Sequence, residues 1–208
     1  GTLTDSMYIW QKAPVDLVRR YGGDPPEDLA RDLKEMGRRE AAEYLRSRFS
    51  LSATPEELMD TLNDLVTEEY RSRVPMKPGA DRLLARLADS GISCCIATAS
   101  EAFQARDAMV RLGLWKHFLF AFSSLQYGPK TGPDLYRAAA QAAGSAPERT
   151  VVFEDALHAA RSAKRAGFLV AGVYDPSAEE DQEALRCLCD WYLPRLDSPD
   201  FLAALERG

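Results

Sequence analysis

Residues 150–174 read TVVFEDALHAARSAKRAGFLVAGVY. Thr150-Val151-Val152-Phe153 is a short apolar run rich in β-branched residues, the composition of a buried strand. Glu154-Asp155 follows at once, then an alanine-rich helical pattern that stops at Gly167. Residues 169–174 form a second apolar run. Strand, helix and strand in this order make a βαβ unit, whose two strands lie parallel in one sheet. Two carboxylates directly after the first strand therefore stand at the carboxyl end of a parallel sheet. That is where open α/β sheets bind their ligands.

The same alternation extends upstream. A helix over about 79–89 stops at Gly91, and Ile92-Ser93-Cys94-Cys95-Ile96-Ala97 reads as a strand. Thr98-Ala99-Ser100 follows it, and a helix over about 101–112 ends at Gly113. Residues 118–122 read as another short strand. A turn holding Lys130 leads into a helix over about 133–143 that ends at Gly144. Thr98, Lys130 and Glu154-Asp155 thus come from three separate segments that can converge on one crevice. Pattern alone predicts an α/β enzyme that binds an anion or a metal.

Residues 9–77 have another texture, helical and highly charged with no convincing strand. Thr54-Pro55-Glu56-Glu57 is a helix start: Thr54 caps, Pro55 suits the first helical position and Glu57 completes a capping box. Residues of about 11–21 and 26–48 also read as helices, separated by the turn at 22–26. The predicted organisation is an α/β core of 1–8 and 78–208, a doubly wound parallel sheet, with an all-helical domain of 9–77 inserted into it.

The 208 residues are 46% hydrophobic, enough for one core and a small appended domain. A net charge of −6 and a pI of about 5.1 argue against nucleic acid or an anionic membrane as partner. No apolar run approaches the roughly 20 residues of a membrane span. Cys94, Cys95, Cys187 and Cys189 show no metal-ligand spacing with His117 or His158, and read as free thiols of a reducing, cytoplasmic compartment. A monomer is expected.

Four segments resemble, in order, the motifs of the haloacid dehalogenase superfamily. Gly1-Thr2-Leu3-Thr4-Asp5-Ser6 is similar to the tail of the first motif, DxDGT(L/V)xDS. Cys95-Ile96-Ala97-Thr98 resembles the second, an apolar strand ending in Thr or Ser. Lys130-Thr131-Gly132-Pro133-Asp134 resembles the third, KPxPD. Phe153-Glu154-Asp155, continuing to Ala163, Ala166 and Gly167, resembles the fourth. Ala156 and Ala159 depart from the Ser and Gly usual there. The resemblance is nearest to the β-phosphoglucomutase-like branch, which has a helical cap between its first and second motifs.

That resemblance implies a Rossmann-like core, a cap domain and a magnesium-dependent phosphatase acting on a small phosphorylated metabolite. It implies an aspartyl-phosphate intermediate, with phosphate held by Thr98, the Ala99 backbone N–H and Lys130. Magnesium would be bound by Asp155, with Glu154 beside it as ligand or orienter. The nucleophilic aspartate would lie three positions before Gly1 and the acid/base aspartate immediately before it, so an upstream strand and loop are expected in the intact protein. Gly37-Arg38-Arg39-Glu40 resembles the cap's substrate-facing loop, which makes Arg38 and Arg39 candidates for meeting the substrate. Hinges are expected near 8–12 and 75–79.

Each residue also has a plainer reading. Thr98 and Asp155 can simply cap the helices that follow them, Lys130 can be a solvated loop lysine, Glu154 a surface carboxylate, and Arg38-Arg39 part of a helix-surface charge cluster. The ordered set of motifs is what favours the functional reading. A sugar-phosphate mutase is the main alternative, but the ungapped match to the cap histidine of β-phosphoglucomutase is Trp10. A non-catalytic phosphate-binding protein is the other. A dehalogenase proper needs no metal, which Glu154-Asp155 argues against.

Overall fold

The computed structural model describes residues 1–33 and 36–205. The chain divides into two compact units, Ser6–Val74 and the rest of the chain on either side of it. The expected boundaries of the insertion, 9 and 77, fall three residues later at each end.

The inserted unit holds helices α1 (Tyr8–Arg20), α2 (Arg38–Arg48) and α3 (Pro55–Ser72). The helix expected over 26–48 is not continuous. A single 3-10 turn, Leu29–Arg31, precedes α2, and residues 34 and 35 of that stretch lie outside the described residues. The second helix starts afresh at Gly37, which has extended backbone and donates its N–H to the Glu40 carboxylate at 3.3 Å. At α3 the expected capping box forms: Thr54 Oγ1 accepts from the Glu57 N–H at 3.2 Å, and the Glu57 carboxylate accepts from the Thr54 N–H at 2.7 Å. Leu17, Val18, Leu29, Leu45 and Leu58 are among the side chains that form the unit's own core.

One carboxylate organises the charged side of this unit. Glu69 is buried and accepts hydrogen bonds from Tyr8 Oη (2.9 Å), Lys12 Nζ (3.0 Å) and Arg73 Nη1 (2.9 Å). Burial pushes its pKa up, but these donors outweigh burial and hold it below the ordinary 4.5. A depressed folded-state pKa stabilises the fold above the ordinary carboxylate value, and that contribution is lost as pH falls through the folded one. Acid unfolding followed by circular dichroism should therefore show a shallower loss of stability below about pH 4.5 in Glu69→Gln than in wild type.

The other unit carries five strands: β1 (Cys94–Thr98), β2 (Phe118–Ser123), β3 (Val151–Glu154), β4 (Leu169–Val173) and β5 (Trp191–Leu193). Its helices are α4 (Ala80–Asp89), α5 (Ala102–Arg111), the short α6 (Ser124–Tyr127), α7 (Asp134–Ala142), α8 (Leu157–Arg165), α9 (Gln182–Leu188) and α10 (Pro199–Leu205). Every strand pairing is parallel, in the orders β1-β2 and β3-β4-β5. The strands thus form two sheets rather than one, and among the described residues the second edge of β1 and of β3 has no strand partner.

Helices nevertheless cover both faces, as in a doubly wound fold. On one face α4 packs with Leu196 and Phe201 against Ala171, Val173 and Leu193, and Cys94, Val151 and Phe153 join the cluster. On the other, α7 and α8 pack with Phe168 and Leu185 against Val170, and Ala97 and Val152 join. Residues of β1 and β3 alternate between the same two clusters, so the two sheets are covered by the same layer on each face. Val170–Val173 of β4 are buried, whereas all of β1 and most of β3 are half-buried. Among the described residues β4 is paired along both edges, β1 and β3 along one.

Candidate active site

The carboxyl ends of β1 and β3 deliver the residues expected there. Thr98 ends β1, and its Oγ1 accepts from the Ser100 N–H at 3.0 Å, which turns the chain sharply. Two serines from the end of β2 hold this turn: Ser123 Oγ donates to the Ser100 carbonyl at 2.7 Å and Ser124 Oγ to the Ala99 carbonyl at 3.4 Å. Ala99 itself is exposed. At the end of β3, Glu154 is 2% and Asp155 8% exposed. The reading of Glu154 as a surface carboxylate is therefore incorrect: as the last residue of β3 it is drawn under the helices that cover the sheet.

Lys130 reaches Glu154 from the loop before α7, with Nζ 2.5 Å from Oε1. It is not a solvated loop lysine, since its side chain is largely covered. Tyr136, on the first turn of α7, donates from its hydroxyl to the same oxygen at 2.9 Å. Burial, then the Glu154 charge, pushes the Tyr136 pKa far up, so the phenol remains a proton donor. Two donors on one carboxylate oxygen fix the ammonium of Lys130 in place.

Asp155 is held from the other side. Thr2 Oγ1 donates to its Oδ1 at 2.7 Å, and the Gly1 nitrogen lies 3.8 Å from its Oδ2. A Cβ placed on Gly1 would sit 2.0 Å from Asp155 Oδ2 and 3.0 Å from Asp175 Oδ2. Only a glycine fits between these carboxylates. Asp175 is fully buried just after β4, its Oδ2 2.7 Å from Lys77 Nζ, and Ser177 donates to its Oδ1 from N–H and Oγ at 2.9 and 2.5 Å. Burial pushes the Asp175 carboxyl up, but Lys77 and Ser177 outweigh it and hold it below the ordinary range.

The structure thus brings Lys130 onto Glu154 and sets Asp155 against the first loop. Thr98 and Ala99 stand at the same carboxyl end of the strands. Arg38 and Arg39 open α2 in the other unit, where Arg39 pairs with Glu43 (3.1 Å) and Glu56 (2.9 Å). His158 is exposed, and Ala156 precedes α8 without a side-chain cap. Sequence reasoning missed Tyr136, Lys77 and Asp175. Asp175 carried a usable signal, being a carboxylate just beyond an apolar strand like Glu154-Asp155. Lys77 lay in the proline-bracketed stretch read as a hinge, and Tyr136 in an alanine-rich helix.

No group of three or more His, Cys, Asp or Glu side chains among the described residues is placed to hold a metal. Magnesium does not need such a cage, because it is commonly held by one or two carboxylates together with water and substrate phosphate. Asp155 fits that requirement with a hard carboxylate at a strand end. Among the described residues, no helix is long and apolar enough to cross a membrane.

Comparison with known proteins gives a consistent picture. Residues 1–173 match the family of haloacid dehalogenase-like hydrolases. The chain is 24% identical over 168 residues to a phosphorylated carbohydrates phosphatase of Thermotoga maritima, covering 80% of this chain and 78% of that one. It is 29% identical over 177 residues to hexitol phosphatase A of Escherichia coli, covering 85% and 81%. Among solved structures, one assigned as a β-phosphoglucomutase from Thermotoga maritima superposes with a TM-score of 0.81 at 22% identity, covering 100% of this chain and 95% of that one.

Proposed function

The chain belongs to the haloacid dehalogenase-like hydrolase family, and we propose on that premise that it is a magnesium-dependent phosphatase of a small phosphorylated metabolite, working through an aspartyl-phosphate intermediate. It is a hydrolase of phosphoric monoesters. The observation that carries the finer reading is the meeting of Lys130, Glu154 and Asp155 at the carboxyl end of β3, with Gly1 packed on Asp155.

A phosphomonoester carries nearly two negative charges, which repel an attacking carboxylate. Lys130 supplies a compact positive charge toward the phosphate, and Glu154 with Tyr136 keeps that ammonium from wandering. The Thr98 hydroxyl and the Ala99 N–H hold phosphate oxygens. Asp155, oriented by Thr2, would hold magnesium, which when bound neutralises further phosphate charge. The attacking group is proposed to be an aspartate three positions before Gly1, with a second aspartate directly before Gly1 as acid and base. Hydrolase relatives named for phosphorylated carbohydrates and hexitols support a sugar- or polyol-phosphate substrate class.

The helical unit is proposed to be the cap that selects the substrate, with Arg38 or Arg39 meeting its distal group. Arg39's ion pairs are exposed and so are readily exchanged for a substrate anion. The test is turnover of an aryl phosphate by the full chain with and without magnesium, followed by a panel of phosphate esters. Chelation of the metal should lower turnover about a hundredfold or more. Turnover unaffected by chelation, or no turnover of any ester, would overturn the proposal. Interconversion of glucose 1-phosphate without phosphate release would replace it with a mutase.

A further inference from the structure

We infer that Lys77, through its buried pair with Asp175, is a positioning residue that fixes the first loop against Asp155; the inference rests on the phosphatase reading above. Lys77 acts at three points at once. Its backbone N–H donates to the Leu3 carbonyl at 2.9 Å. Its Nζ donates to the Tyr174 carbonyl at 2.8 Å and lies 2.7 Å from Asp175 Oδ2. Around it, Asp5 N–H donates to the Pro75 carbonyl at 3.0 Å, and Thr4 and Met76 form an antiparallel bridge. The first loop is thereby laid along 75–77 as a short ribbon, and the lysine side chain bolts that ribbon to the carboxyl end of β4.

Electrostatics explains why the bolt is an ion pair. Gly1 packs against both Asp155 and Asp175, so an unpaired Asp175 would set a second negative charge beside the carboxylate proposed to hold magnesium. Lys77 neutralises it at 2.7 Å, so that Asp175 adds no net negative charge beside Asp155. A buried ion pair contributes little net stability compared with apolar side chains of the same size. Stability alone therefore does not account for charges at these two positions, whereas fixing the register of a loop does.

The test compares wild type with the double variant Lys77→Met/Asp175→Asn, which removes both charges together and keeps a side-chain oxygen to accept from Ser177. Circular dichroism first establishes that the double variant is folded. Two readouts follow. Amide exchange at Asp5 and Lys77 should accelerate about tenfold or more, while amides in the β3–β4 pairing keep their wild-type rates. With aryl phosphate and magnesium, kcat should fall about tenfold to a hundredfold with KM within twofold of wild type. A folded double variant that keeps wild-type exchange at Asp5 and Lys77, or keeps wild-type kcat, overturns the positioning role. An unfolded double variant also overturns it, since the pair would then be required for the fold itself. A wild-type protein without phosphatase turnover instead sinks the reading on which the inference rests, and is seen before any variant is made.

Discussion

Lys130→Met should lower turnover of any phosphate ester by about 10²- to 10³-fold, the usual cost of removing one charged or oriented donor from a site where charge must be neutralised. The substitution keeps the length of the side chain and removes its charge. It has a second consequence that the geometry makes calculable. Glu154 is 3% exposed at its side chain and would be left with Tyr136 as the donor facing Oε1. Breaking a buried pair on one side costs about 3–5 kcal/mol, so a fall in thermal stability accompanies the loss of activity. The two effects separate in Lys130→Met/Glu154→Gln. Removing the stranded carboxylate should return the melting temperature toward wild type while turnover stays low. Turnover restored together with stability would mean that Lys130 serves only to neutralise Glu154. Steady-state kinetics and thermal melts on the same three proteins decide it.

The α/β core was legible because its elements announce themselves locally. The runs at 150–153 and 169–174 are apolar and β-branched, and helices end at glycines such as Gly113 and Gly167, whose φ angles of 72° and 90° most side chains avoid. The strands β1 to β4 follow these signals to within two residues. The three-residue strand β5 was not legible, since its Trp191–Leu193 has no periodicity to read. It exists because the buried β4 supplies a partner edge. The helix expected over 26–48 failed for a related reason. Charged residues there suit a helix by propensity, but burial of Leu29 and the extended Gly37 break the run into a turn and α2.

The candidate site divides in the same way. Thr98, Lys130, Glu154 and Asp155 were found because each sits beside a strand end or in a motif. Which partners they choose was not readable. Nothing in sequence directs Lys130 to Glu154 rather than to Asp155, or brings Tyr136 onto the same oxygen. Those choices depend on the packing of α7 against β1 and on the depth at which β3 ends. Lys77 and Asp175 lie far apart in the chain and meet only when residues 75–77 pair with the first loop.

Gly1→Ala should lower metal-dependent turnover about a hundredfold. The added methyl would lie 2.0 Å from Asp155 Oδ2 and 2.6 Å from its Cγ, well inside contact distance, so one of the two must move. The Gly1 side is tied down, because Thr2 is bonded to Asp155 Oδ1 and the ribbon at 3–5 is paired with 75–77. Retreat of Asp155 is opposed as well, since its residue is 8% exposed at the end of β3. Whichever yields, the Thr2–Asp155 hydrogen bond and the position of the carboxylate change by an ångström or more, a displacement that costs about a hundredfold in rate where geometry is critical. The magnesium concentration for half-maximal activity should rise as kcat falls, because the displaced group is the proposed ligand. The β3–β4 amides should keep their protection, since the clash is confined to the strand end. Wild-type kcat and wild-type magnesium dependence in Gly1→Ala would show that the first loop can shift without cost, and that Asp155 does not hold the metal in the position proposed.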